Sequence, residues 1–111
     1  MNFGRVRVWV YGVPVDMRKS YNGLAGLARE HHDLLSSDLF LFMSKDRKRA
    51  KAMFWDGTGL NIWMKRMERG RFADIFIRGE MSVSELKLFF EGSHQVVRKL
   101  SPRNLTSEYV A

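Results

Sequence analysis

Trp55-Asp56-Gly57-Thr58-Gly59-Leu60, followed by Lys65-Arg66-Met67-Glu68-Arg69-Gly70-Arg71-Phe72, joins a hairpin signal to a dense run of cations. Asp-Gly between apolar runs favours a tight turn, because Gly57 accepts the positive φ that such a turn demands. Working outward, residues 59–66 read as a strand leaving the turn and residues 51–55 as the strand entering it. Before them, Asp38-Leu39-Phe40-Leu41-Phe42-Met43-Ser44 is nearly all apolar, the pattern of a central strand buried on both faces. Consecutive strands with short connections pair antiparallel, so these three are expected to form a meander.

Residues 5–11 alternate Val, Trp and Tyr with Arg5 and Arg7 and stop at Gly12-Val13-Pro14, giving a further strand. Asp16 is then a plausible helix N-cap, and Met17, Tyr21, Leu24, Leu27, Ala28 and His31 recur at helical spacing through about His32. Gly23 and Gly26 each weaken that helix by about 1 kcal/mol relative to Ala, so packing must hold it. Ser82-Val83-Ser84-Glu85 is a capping box, and the helix it opens carries Val83, Leu86, Phe89 and Phe90 on one stripe and ends at Gly92. The fold expected is α+β: a small single domain over residues 1–92, with an antiparallel sheet of about four strands and two main helices packed on one face. Residues 93–111 read as a C-terminal extension, a short helix near Gln95 to Lys99 and then a mobile tail.

A chain of 111 residues, 45% hydrophobic, with three Trp, three Tyr and eight Phe, furnishes one core. Nineteen Lys and Arg against twelve Asp and Glu leave a formal charge of +7, which attracts nucleic acid or another anionic partner. The absence of cysteine removes disulfides, thiolate metal sites and cysteine nucleophiles, and fits a reducing compartment. No apolar run approaches the roughly 20 residues that span a bilayer, and no secretory signal is read at the N-terminus, so a cytoplasmic protein without a membrane partner is expected.

Three basic clusters are the candidate binding residues. They are Arg18 with Lys19; Lys45, Arg47, Lys48, Arg49 and Lys51 in a connection between strands; and Lys65 and Arg66 with Arg69 and Arg71. Each supplies charge for phosphates, and guanidinium forks also fit the Hoogsteen edge of guanine. Arg18 and Lys19 at a helix start oppose the helix dipole unless an anion is bound there, although Asp16 as a cap offsets the charge equally well. Gly70 between Arg69 and Arg71 allows close backbone approach, while Glu68 can pair with a neighbouring Arg. Tyr11, Trp55, Trp63 and Phe72 have the chemistry to stack on bases, but filling the single interior claims them first.

Catalysis finds little support. His31, His32 and Asp33 offer a base and a carboxylate, but adjacent helical residues diverge by about 100° and do not share one small site. No Gly-rich phosphate loop, zinc-ligand spacing or nucleophile elbow appears, and no cofactor or metal is called for. Asp16, Asp56 and Glu68 would need to meet in space to form a metal triad, and capping and turn roles already account for the first two.

With the clusters in view, the chain resembles the small TnpB-type, Orf2-like accessory proteins of bacterial insertion sequences of the sixty-six family. The resemblance runs in order from Val6 to Gly92 through Val6-Arg7-Val8-Trp9-Val10, Val15-Asp16-Met17-Arg18-Lys19, Asn22-Gly23-Leu24-Ala25 and Leu39-Phe40-Leu41-Phe42. Its most specific parts are Asp16-Met17-Arg18-Lys19 and Lys65-Arg66-x-Glu68-Arg69-Gly70-Arg71-Phe72. Such proteins often follow that Phe with Trp-Pro, where this chain has Ala73-Asp74-Ile75. The resemblance implies a non-catalytic accessory factor for DNA transposition in a bacterial cytoplasm, working beside a separate transposase that owns the strand-cutting chemistry. DNA is the expected partner. The alternatives are a protein-interaction adaptor that docks on the transposase without touching DNA, and a small endoribonuclease resting only on size, basicity and His31, His32 and His94. An exposed strand edge can also pair with a second copy, so a homo-oligomer remains open.

Overall fold

A computed structural model of the protein describes residues 6–97. In chain order the elements are β1 (Arg7–Val10), α1 (Tyr21–Arg29), β2 (Leu39–Met43), β3 (Arg49–Trp55), β4 (Leu60–Arg66), β5 (Glu80–Ser82) and α2 (Val83–Phe90), followed by a 3-10 turn, Gln95–Val97. The strands make one sheet in the order β4-β3-β2-β1-β5. The meander expected of β2, β3 and β4 is present, antiparallel throughout, with Leu41 opposite Ala52 and Ala52 opposite Trp63.

The α+β class holds, but the sheet is mixed and five-stranded, which corrects the expectation of a purely antiparallel sheet of four. β1 pairs with β2 in parallel, Val8 beside Leu39 and Val10 beside Leu41, because α1 lies between them and carries the chain back to the end where β1 began. The fifth strand pairs antiparallel with β1 through Arg7 and Ser82 at one end and Trp9 and Glu80 at the other. Three residues are too few for a period-two signal, so β5 left no trace in the sequence pattern.

All five residues of β2 are buried, as its unbroken apolar run requires. Leu39, Leu41 and Met43 face a cluster built with Ala50, Ala52, Phe72, Ile75, Leu86 and Phe89. Phe40 and Phe42 face the other way, against Met53, Leu24, Ala25 and Ala28. Successive strand side chains alternate between faces, so a strand that is apolar at every position needs cover on both. Accordingly α2 covers one face and α1 the other, which corrects the expectation that both helices share a face. Each fully buried Leu or Phe contributes about 1.5–3 kcal/mol, enough to hold α1 despite its glycines.

The α2 boundaries are where the sequence put them. The Ser82 hydroxyl accepts from Glu85 N at 3.1 Å and the Glu85 carboxylate accepts from Ser82 N at 3.1 Å. At the other end Gly92 takes φ +88°, Gly92 N donates to Phe89 O and Ser93 N to Leu88 O. Val96 is fully buried in the α2-side core, so packing continues past Gly92. The part of the extension beyond Val97, with the expected helix end at Lys99 and the tail, lies outside the described residues, as does Arg5.

The first helix is shorter than expected. It begins at Tyr21 after Ser20, whose side chain makes no capping bond, and Asp16 is not its cap. Residues 14–20 instead form a loop tied to the sheet by Val15 N donating to Met43 O at 3.0 Å and by the Lys51 ammonium, which donates to Met17 O at 2.8 Å and Lys19 O at 2.7 Å.

Candidate nucleic-acid interface

The candidate interface centres on the Ser44–Arg49 connection. Ser44 N donates to Arg49 O, and the Ser44 hydroxyl donates to Asp46 Oδ1 at 2.7 Å while accepting from Arg49 N at 3.1 Å. Lys48 N donates to the same Asp46 oxygen at 3.0 Å. Asp46 therefore serves the turn, and its carboxyl is held below the usual range first by the Ser44 hydroxyl and then by Lys48 N. Arg47 sits at φ +59°, in the left-handed region, so the turn is tight and its cations have fixed exits. Lys45, Lys48 and Arg49 are exposed and Arg47 is half-buried.

The second cluster is stitched to the first through the backbone. Met67 N donates to Lys48 O and Phe72 N to Arg47 O, both at 2.7 Å. The Phe72 ring is fully buried and stacks on Phe89 with centroids 4.6 Å apart, so this loop has an anchor in the core. Between these ties Gly70 takes φ +70° and reverses the chain, leaving Arg69 and Arg71 exposed on either side. Arg49 and Arg66 are direct cross-strand partners, a like-charge pairing that the Glu68 carboxylate offsets by pairing with Arg66. The stretch that precedes the third cluster borders this turn: a hollow is lined by Pro14, Asp16 and Met17 from one side and Lys45, Asp46 and Arg49 from the other.

The eleven candidate cations come from three chain segments, and they are not equivalent. Lys51 is 8% exposed and its ammonium is spent on the carbonyls of Met17 and Lys19, so it is a structural lysine, which corrects its assignment as a contact residue. Arg18 is ion-paired with Asp16 at 2.6 Å, and those bonds hold the Asp16 carboxyl down to about 2. Because α1 starts only at Tyr21, the expected phosphate site of Arg18 and Lys19 at a helix N-terminus does not form. Arg66 pairs with Glu68 at 2.9 Å. Lys65 points to the α2 side of the sheet, where its ammonium donates to Phe90 O at 2.5 Å and satisfies a carbonyl at the helix end. Among the described residues Lys19, Lys45, Arg47, Lys48, Arg49, Arg69 and Arg71 enter no ion pair.

The aromatic residues divide. Phe72 is core, Tyr11 and Trp55 are half-buried, and Trp63 is 52% exposed, which corrects its expected place in the interior. Trp63 shares a sheet face with Ala52 and Lys65, the opposite face from Arg49 and Arg66, so it does not interleave with the basic turn.

His31 and His32 lie in the turn after α1, not on the helix, so the divergence expected of helical neighbours does not apply. Both line a cleft of about 250 Å³ with Tyr11, and the His32 ring stacks on Trp9 at 4.2 Å. Asp16 is engaged with Arg18, Asp56 with Thr58, Gly59 and Asn61 in its own turn, and Glu68 with Arg66. No group of three or more His, Asp or Glu suited to a metal ion occurs among the described residues.

One buried ion pair went unread in the sequence. Arg78 meets Glu85 at 2.7 Å with both side chains buried, and Arg78 also donates to Val96 O. The capping box announces Glu85, but nothing local announces Arg78. No helix among the described residues is long and apolar enough to cross a membrane.

Against known proteins, the family described as IS66 Orf2 like protein matches residues 6–99. Two relatives from Sinorhizobium fredii (strain NBRC 101917 / NGR234) align over 69 residues, or 60% of this chain. One, the uncharacterized protein y4jC, is 35% identical, with 59% of its length covered. The other, the uncharacterized protein y4hO, is 36% identical, with 60% covered. The chain therefore spans about three fifths of the relatives it matches. No solved structure is a significant match.

Proposed function

The chain belongs to the IS66 Orf2-like family, and from that premise we propose that it is a non-catalytic accessory protein of DNA transposition that binds DNA through its basic end beside a separate transposase. The observation that carries the DNA reading is the backbone stitching of loop 67–72 to turn 45–48. It gathers Arg47, Lys48, Arg49, Arg69 and Arg71 on one end of the sheet, and none of them enters an ion pair among the described residues. Two tied turns fix the backbone beneath these cations and leave all but the half-buried Arg47 exposed, which favours a polyanion with regularly spaced charges. Contact is chiefly to phosphates, so base sequence is read weakly or by another protein. The cytoplasm is the compartment in which such a partner is met.

The test is a fluorescence anisotropy titration of duplex DNA across salt. Neutralising about six phosphates lowers affinity on the order of a thousandfold between roughly 50 and 200 mM salt. Absence of association at low salt overturns the reading. Equal retardation of an element's terminal repeats and random duplex assigns sequence choice to another protein.

A further inference from the structure

We propose that the free edge of β4, with the apolar groove beside it, is a docking site for an extended protein segment in which apolar residues alternate with carboxylates. β4 ends the sheet, and at seven residues it is a long edge, whereas the opposite edge, β5, has three. Its hydrogen-bonding phase follows from the flanking bonds. Asp56 N donates to Gly59 O, and Met67 N to Lys48 O. In an antiparallel pair every second residue bonds to the partner strand, so Asn61, Trp63 and Lys65 turn their backbone groups to β3. Leu60, Ile62, Met64 and Arg66 therefore turn theirs outward, where no strand among the described residues meets them. From Leu60 to Met64 the strand carries no charge, and Trp63 and Met64 are 52% and 53% exposed on its two faces. Long apolar edges of this kind pair with further strands unless they are blunted.

The groove sits on the α2 side. α2 lies nearest β5 and β1, away from β4, and leaves Trp63 facing Val83, Leu86 and Phe90 across an apolar hollow of about 550 Å³. A strand laid along β4 places alternate side chains beside Trp63 on this side and beside Ile62 and Met64 on the other. Main-chain bonds then supply affinity and the groove supplies selection, the arrangement of β-strand addition. Charge decides the occupant. Lys65 and Lys87 line the groove against Glu91, and the whole chain carries +7. Two copies of the chain repel each other, while carboxylates on an incoming strand meet these lysines. The site is separate from the basic turns and stands without the DNA reading.

The experiment uses the full chain without nucleic acid and a fluorescein-labelled nonapeptide of alternating valine and glutamate. The expected result is saturable anisotropy, with amide shifts confined to β4 and the groove in NMR spectra. A peptide with lysine in place of glutamate binds at least tenfold more weakly. Met64→Pro removes an outward N–H without breaking a bond to β3, so it weakens peptide binding at least tenfold and leaves DNA association unchanged. Trp63→Ala, at an exposed position, gives the same loss if Met64→Pro does not fold. Equal binding of the lysine peptide, unchanged binding by both variants, or a stable dimer that Met64→Pro dissociates would each overturn the proposal, the last by giving the edge to a second copy.

Discussion

Glu85 does two jobs from one buried position, accepting from Ser82 N at the start of α2 and pairing with Arg78 at 2.7 Å. Glu85→Ala removes one partner of a buried ion pair together with half of the capping box, and breaking a buried pair costs about 3–5 kcal/mol, so chemical denaturation should show a large fall in midpoint. Lys51 is a comparable case under a different appearance. It lies in a run of surface cations in the sequence, yet its ammonium holds the 14–20 loop by two carbonyls. Lys51→Met keeps the buried stem and removes both bonds, each of which is worth about 1.5–3 kcal/mol as a charged donor. Amide exchange at Arg18 and Lys19, whose N–H groups donate to Asp16 within this loop, should accelerate in that variant. At Asp16, the Arg18 hydrogen bonds lower the carboxyl from 3.8 to about 2. A depressed folded value means the tie is complete above the unfolded value near 3.8 and is lost as pH falls toward about 2. A carbon-detected NMR titration of the Asp16 carboxyl should therefore find its midpoint near 2, and in Arg18→Ala the midpoint should return toward 3.8.

At the scale of elements, what could be read early is what local bonds decide. α2 was bounded correctly because its capping box and its glycine stop are made by residues three to five apart, and Ser82→Ala should cost about 1 kcal/mol in thermal unfolding. Gly92→Ala should cost at least as much, since φ is +88° and an added Cβ would lie 3.0 Å from Met67 Cε. β2 was legible for another reason: apolar residues at every position leave only a strand with both faces covered. The start of α1 was not legible. Spacing carried the helix back to Asp16, but Lys51, 32 and 34 residues away from its two acceptors, holds those residues as a loop. The parallel pairing of β1 with β2 is likewise a property of the crossover between them, not of either strand.

For the molecule as a whole, charge counting treats all eleven candidate cations alike, while the fold divides them. Ion pairs occupy Arg18 and Arg66, carbonyls occupy Lys51 and Lys65, and two turns joined through Met67 and Phe72 hold Arg47, Lys48, Arg49, Arg69 and Arg71 outside any ion pair among the described residues. The clusters were visible in the sequence because charge is local in composition; their meeting was not, because Phe72 N reaches Arg47 O only after the β3–β4 hairpin has folded. This division makes a differential prediction. If phosphates are met by the unpaired group, each of Arg47→Ala, Arg69→Ala and Arg71→Ala should reduce the slope of log affinity against log salt by about 1, roughly uniformly over DNA sequences. Arg18→Ala removes a cation already neutralised by Asp16 and frees that carboxylate, so it should leave the slope nearly unchanged while weakening binding slightly at all salts. Equal slope changes for Arg18→Ala and Arg69→Ala would mean that bulk charge, and not the joined turns, attracts the polyanion. Parallel titrations at four salt concentrations distinguish the two.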